Sequence, residues 1–281
     1  MKKILVPTDF SANAKKAMTV AASIAQKNGA DVLLLHTNTA AAYVSPLPEY
    51  YTAEQYDMSE YYENAASELY KLKQEVSAQY GNVSIETRVE EGFLYDTIAR
   101  IAQEEGVDLV VMGTKGATGT LEFFLGSNTE KVIRTAPCMV LAVPESSGDF
   151  NPARVVLAST LKPEQSAAFE ALAAWQKYQN FEVLVLYLNN PTGFNTEEEV
   201  AKAAEDMAKA NGLENVSAYV SGNTFSEEES IVQFAAEREA GMIAMATHQR
   251  KGLSHLLFGS LTEDTANHSD IPVLSIPIRK K

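Results

Sequence analysis

Gly113-Thr114-Lys115-Gly116, nine further residues, then Gly126-Ser127 form the stretch of this chain whose residue types and spacing could do chemistry. The glycines let backbone amides approach a ligand closely and reach conformations closed to other residues. A helix start leaves N–H groups without carbonyl partners and carries partial positive charge, so the chemistry it suits is holding an anion such as a phosphate. Ser127 and Glu130 have the Ser-x-x-Glu spacing of a capping box, which predicts the first turn of that helix. A second polar group, Pro7-Thr8-Asp9-Phe10-Ser11, ends the first apolar run. Asp9 there either accepts from a ribose hydroxyl or caps the helix beginning near Ser11.

Other reactive types read more simply. The lone cysteine, Cys138, sits among Met139, Val140 and Leu141, which predicts a buried, inert thiol and excludes an internal disulfide. His36 lies at an apolar strand end and reads as a packed core histidine. His268 near a helix C-terminus reads as a partner for the helix dipole. Lys115 reads equally as a phosphate contact or a solvent-facing side chain. Tyrosines at 43, 50, 51, 56, 61, 62, 70 and 80 make one helix and its approach rich in amphipathic rings, read first as packing on the sheet.

The elements that must position these groups alternate. Strands are expected near 3–7, 31–37, 83–89, 108–113 and 137–143, with helices near 11–28, 53–79, 93–105 and 127–135. The second half repeats the order, with strands near 154–158, 182–188, 215–220, 241–246 and 272–277. Its helices are expected near 163–179, 196–211, 226–239 and 260–268. Continuous apolar strands such as Val32-Leu33-Leu34-Leu35 require a sheet covered on both faces, and the alternation implies parallel strands with right-handed crossovers. Met112 to Pro144 aligns without a gap on Met245 to Pro277, pairing Gly126-Ser127 with Gly259-Ser260 and Thr129-Glu130 with Thr262-Glu263. This is an internal duplication, so two domains are expected, at 1–146 and 152–281, joined by the polar stretch from Glu145 to Pro152. In an open parallel sheet a ligand collects beyond the strand ends where strand order reverses, which brings Asp9 and Gly113 to one crevice.

Composition narrows the partners. A net charge of −14 disfavours nucleic acid and anionic membranes, so any phosphate must be held by local backbone geometry. Apolar runs fall short of the roughly 20 residues of a membrane span, and Met1-Lys2-Lys3-Ile4-Leu5 lacks the pattern of a secretion signal, so a cytoplasmic location is expected.

Val6-Pro7-Thr8-Asp9-Phe10-Ser11, the Leu-Leu-His-Thr end of the second strand and Met112-Gly113-Thr114-Lys115-Gly116 with nine residues to Gly126-Ser127 resemble the ATP-binding branch of the universal stress protein family. The resemblance covers the whole chain as two tandem domains. It implies an α/β fold in which each domain is an open five-stranded parallel sheet of order 3-2-1-4-5 with helices on both faces. It also implies that ATP, or AMP or ADP, occupies the crevice, with or without magnesium. Asp9 would hold the ribose, with Pro7 and Thr8 beside the nucleoside, and the main chain at Thr37 together with Met112 would meet adenine. Gly113, Gly116 and Gly126 would shape the phosphate loop, and Ser127, Asn128 and Thr129 would bond phosphate oxygens. The last strands of the two domains would pair antiparallel, Met139–Val143 on Val273–Ile276, giving a pseudo-dimer within one chain that could pair again as a homodimer.

The second half departs from that pattern. Gly113, Gly116 and Asp9 are answered by Ala246, Gln249 and Thr160, so this site is expected to be altered or empty and one nucleotide is expected per chain. His248, Arg250, Lys251 and His255 make its loop basic, read first as a solvated face or a contact to the other domain. The function expected is a nucleotide-binding regulatory module of the stress response. The alternatives are a slow ATPase and a scaffold that binds no nucleotide. No Gly-x-x-x-x-Gly-Lys-Ser/Thr loop, Ser-Gly-Gly loop or His-x-x-His pair favours an enzyme.

Overall fold

A computed structural model describes residues 1–39, 58–114, 126–189, 194–222, 226–248 and 258–278. In chain order the first half holds β1 (Lys3–Pro7), α1 (Ala12–Asn28), β2 (Asp31–Asn38), α2 (Ser59–Gln79), β3 (Ile85–Glu91), α3 (Leu94–Glu105), β4 (Leu109–Gly113), α4 (Ser127–Thr135) and β5 (Met139–Val143). The second half holds β6 (Arg154–Ala158), α5 (Ser166–Gln176), β7 (Glu182–Asn189), α6 (Glu197–Asn211), β8 (Val216–Gly222), α7 (Glu227–Glu237), β9 (Met242–His248), α8 (Phe258–His268) and β10 (Val273–Ile278).

Ten of these strands form one sheet in the order β3-β2-β1-β4-β5-β10-β9-β6-β7-β8. Each half therefore has the expected order 3-2-1-4-5, and the two meet back to back. Within a half the pairings are parallel, as in Leu5 beside Leu33 and Val110 beside Val140. At the seam β5 and β10 run antiparallel, Leu141 opposite Leu274 and Ala142 opposite Val273, as the family resemblance implies. The seam removes two apolar edges that would otherwise present unpaired backbone groups.

Two cores follow from the alternation of side chains across the strands. On one face Ile4, Val6, Leu34 and Val111 pack under α1 and α2, and Val155, Leu157 and Val185 under α5 and α6. On the other, Leu5, Leu33 and Val110 pack under α3 and α4, and Val156, Leu184 and Ile243 under α7 and α8. Described helices thus cover both faces of the sheet.

Two expectations change in detail. The strand expected from 83 begins at Ile85, because the Val83 amide closes a turn on the Tyr80 carbonyl at 3.0 Å while its side chain plugs the core. The helix expected over 163–179 opens as a 3-10 turn at Pro163–Gln165 and is α-helical only over Ser166–Gln176. The polar linker is anchored by Phe150, which is buried with its ring 6.4 Å from that of Trp175. Beside it Gly241 lies so close to Pro152 that a Cβ would stand 2.7 Å from the proline Cα.

Candidate functional site

The C-terminal ends of β1, β2 and β4 and the start of α4 enclose a cavity of about 240 Å³. Pro7, Thr8 and Asp9 enter it from β1, Thr37 from β2, Met112 and Gly113 from β4, and Gly126, Ser127, Asn128 and Thr129 from the start of α4. The sequence-assigned site residues within the described part of the chain are therefore brought together. Gly116, with Lys115, lies outside the described residues, as do Gln249, Arg250, Lys251 and His255 of the second half.

The turn from β1 into α1 is built on hydroxyls. Phe10 takes a left-handed backbone, φ 63, which an aromatic residue adopts only when its surroundings hold it. Its amide donates to Thr8 Oγ1 at 3.0 Å. The second half repeats the device, Leu161 at φ 55 donating to Ser159 Oγ at 3.1 Å, so this strain belongs to the fold. Ser11 is the N-cap of α1, its Oγ accepting from the Ala14 amide at 3.2 Å. Asp9 is therefore not that cap; its Oδ1 accepts from the Ser11 amide at 3.1 Å while the residue stays exposed at the cavity.

The start of α4 corrects the expected capping box. Gly126, not Ser127, is the N-cap, no side chain caps it, and Ser127 is already helical. Glu130 turns instead to Arg134, 2.9 Å away. True capping boxes occur at Thr196 with Glu199 and Ser226 with Glu229, which the Thr-x-x-Glu and Ser-x-x-Glu spacings could have revealed. The Gly126 amide donates to the Thr114 carbonyl at 2.7 Å, tying the helix start to the end of β4. Thr129 is buried and donates its hydroxyl to the Gly113 carbonyl at 2.8 Å, so what it offers an anion is its main-chain amide. The first amides of α4, at Ser127, Asn128 and Thr129, have no carbonyl behind them in the helix.

Four residues that the sequence reading did not assign to the ligand, Ala14, His36, Thr39 and Leu94, also line the cavity. His36 departs from the packed core residue that its apolar strand end predicts: it is half-buried with both ring nitrogens engaged. Nδ1 lies 2.8 Å from the Thr8 carbonyl and Nε2 2.8 Å from the Tyr61 hydroxyl. A carbonyl only accepts, so Nδ1 carries a proton and donates to Thr8, while Nε2 faces the Tyr61 hydroxyl. Of the tyrosine group, those at 43, 50, 51 and 56 lie outside the described residues, and Tyr70 is exposed. The expected core packing of the tyrosines thus holds for Tyr80, whereas Tyr61 serves the histidine.

Cys138 is half-buried; burial, with Asp108 adding to it, pushes its thiol up to about 12, so it stays protonated and unreactive at neutral pH. Among the described residues no cluster of metal-ligating side chains occurs. The cavity thus offers a carboxylate, apolar Met112, Leu94 and Ala14 walls, and the first amides of α4, which lack a carbonyl partner within the helix. That combination fits a molecule with hydroxyls, a flat apolar part and an anionic group.

A profile of the universal stress protein family matches residues 1–144 and again 153–277. Over 154 residues, 54% of this chain and 90% of the relative, the sequence is 35% identical to a putative universal stress protein of Staphylococcus haemolyticus. It is 33% identical over the same shares to one of Staphylococcus aureus strain USA300. Among solved structures, a universal stress protein of Archaeoglobus fulgidus is similar with a TM-score of 0.75 at 20% identity, covering 98% of this chain and 96% of that one. A Pseudomonas aeruginosa protein described as functionally unknown gives 0.63 at 18% identity, covering 99% and 93%. At these identities the two structures speak for the fold. No helix among the described residues is long and apolar enough to cross a membrane.

Proposed function

The chain belongs to the universal stress protein family, and from that premise we propose that its first domain, residues 1–146, binds one adenine nucleotide. The nucleotide is ATP, ADP or AMP, with or without magnesium, and its presence tunes the protein's interactions in the cytoplasm. The second domain, 152–281, carries an altered site. One observation carries the reading: residues assigned from sequence on three strand ends and a helix start converge on a single cavity. Asp9 accepts from the ribose hydroxyls, Met112 and the main chain at Thr37 flank adenine, and the amides of Ser127, Asn128 and Thr129 hold phosphate oxygens. Asp9 already accepts from the Ser11 amide, which orients its carboxylate before a ligand arrives.

Chromatography of the extract released by denaturing the purified protein, and calorimetric titration with AMP and ATP, test this. Bound adenine nucleotide, or binding at one site per chain, is expected. Asp9→Ala should weaken it by roughly 10- to 100-fold, the loss of a hydrogen bond to a charged group. Protein that carries no nucleotide, and whose melting temperature neither AMP nor ATP shifts, would overturn it.

A further inference from the structure

The second half keeps a crevice at the place corresponding to the first, a cavity of about 190 Å³ at the ends of β6, β7 and β9. The duplication permits a residue-by-residue comparison. The left-handed Phe10 and Leu161 anchor the turns after β1 and β6, so Asp9 corresponds to Thr160, Ser11 to Lys162 and Ala14 to Gln165. The eight-residue strands β2 and β7 pair Thr37 with Leu188, and the fully buried Ile98 and Ile231 pair Leu94 with Glu227. Every one of these substitutions changes chemistry at the wall of the cavity.

The changes have a direction. The carboxylate of Asp9 is gone at Thr160, and Glu227 places a negative charge where the first half has the apolar Leu94, which opposes a flat apolar base there. Leu188, Ile231, Met245 and Leu261 make a broader apolar wall. Lys162 and Glu227 both line the cavity, and among the described residues neither side chain has an ion pair or a hydrogen bond. Gln165 is only 7% exposed, yet its side chain's one partner among those residues is Ser159 Oγ at a long 3.5 Å. A buried amide so weakly satisfied gains from a polar ligand beside it.

We propose that this crevice is a second binding site of a different kind, for a small zwitterion, namely an α-amino acid with an apolar side chain. Its carboxylate pairs with Lys162, its ammonium with Glu227, and its side chain lies against Leu188, Ile231 and Leu261, with the Gln165 amide completing the polar end. A ligand with one charge would leave the opposite wall charge unpaired. A nucleotide seated as in the first half would set its apolar base against the charge of Glu227.

Calorimetric titration of the full chain with L-leucine, and in parallel with isovalerate and isopentylamine, tests the proposal. L-leucine is expected to bind once per chain with a Kd on the order of 1 mM or tighter. Each single-charge analogue should bind about tenfold more weakly or worse. Lys162→Ala and Glu227→Gln are surface changes that preserve folding. Each should weaken L-leucine about tenfold while leaving AMP titration of the first half unchanged. Absence of binding by L-leucine, L-methionine and L-phenylalanine alike, analogues that bind as well as L-leucine, or binding that both variants leave intact would overturn it. The two titrations use different residues, so failure of the nucleotide reading leaves this result interpretable.

Discussion

Gly113 meets two demands. A ligand at the crevice wants backbone nearby, but the glycine also faces Asn13 of α1. A Cβ there would lie 3.0 Å from the Asn13 Cγ and 3.1 Å from its carbonyl carbon. Backbone cannot yield as a flexible side chain does, so Gly113→Ala is expected to destabilise the protein by about 1–3 kcal/mol, the cost of overpacking. Urea denaturation without ligand checks this; unchanged stability with lost AMP binding would assign the glycine to the ligand alone. The first domain's glycine is thus partly a packing residue, and its replacement by Ala246 does not by itself report on a ligand. Asp9 is the sharper residue, because Ser11 already supplies the helix cap and leaves the carboxylate to face the cavity.

At the scale of elements, α3 closes one wall of the site through Leu94 and is pinned at its other end by charge. Lys3 of β1 and Arg88 of β3 both bond Glu105, the last residue of α3. Arg88 first, then Lys3, hold the Glu105 carboxyl down from the ordinary 4.5 to about 2. A folded value below the unfolded one means stabilisation that is full above about pH 4.5 and is lost as pH falls toward 2. Glu105→Gln should therefore lower stability at neutral pH and flatten the acid limb of the urea midpoint against pH. An unchanged acid limb would show the cluster to be solvated surface charge.

Across the whole molecule, the β5–β10 seam is reinforced by Arg134 of α4 reaching Glu263 of α8 at 2.6 Å. The Glu263 side chain is only 9% exposed, and burial raises its carboxyl despite the lowering effect of Arg134. Removing the guanidinium strands that charge, so Arg134→Ala is expected to cost about 1–3 kcal/mol at pH 7. A raised folded value means stability that is present below the unfolded value and lost as pH rises through the folded one. The deficit of Arg134→Ala should therefore shrink between pH 7 and pH 5, read from denaturation midpoints at both. Because α4 begins at the candidate site and ends at this pair, the seam also fixes the helix whose first residues line the cavity.

Continuous apolar runs and the gapless repeat determined the parallel strands and the two halves, because burial on both faces of a sheet leaves a continuous hydrophobic signature, whereas the strand order was implied only by the family resemblance. Glycines and polar residues at strand ends determined that Asp9 and Gly113 share a crevice, since strand ends in a parallel sheet face one edge, and the resemblance implied the other site residues. Local spacing misassigned the cap of α4: Ser-x-x-Glu fits a capping box, yet the helix starts one residue earlier than the motif supposes, with Gly126 as the N-cap, and Arg134 takes Glu130. Leu94 and His36 were invisible as wall residues because their positions depend on how α3 and α2 settle against β2, which no local pattern encodes. The merging of the two sheets rests on Leu141 meeting Leu274 across the chain. The resemblance implied that pairing, but only tertiary structure decided it, since strand pairing between distant segments is fixed by the complementarity of two completed edges.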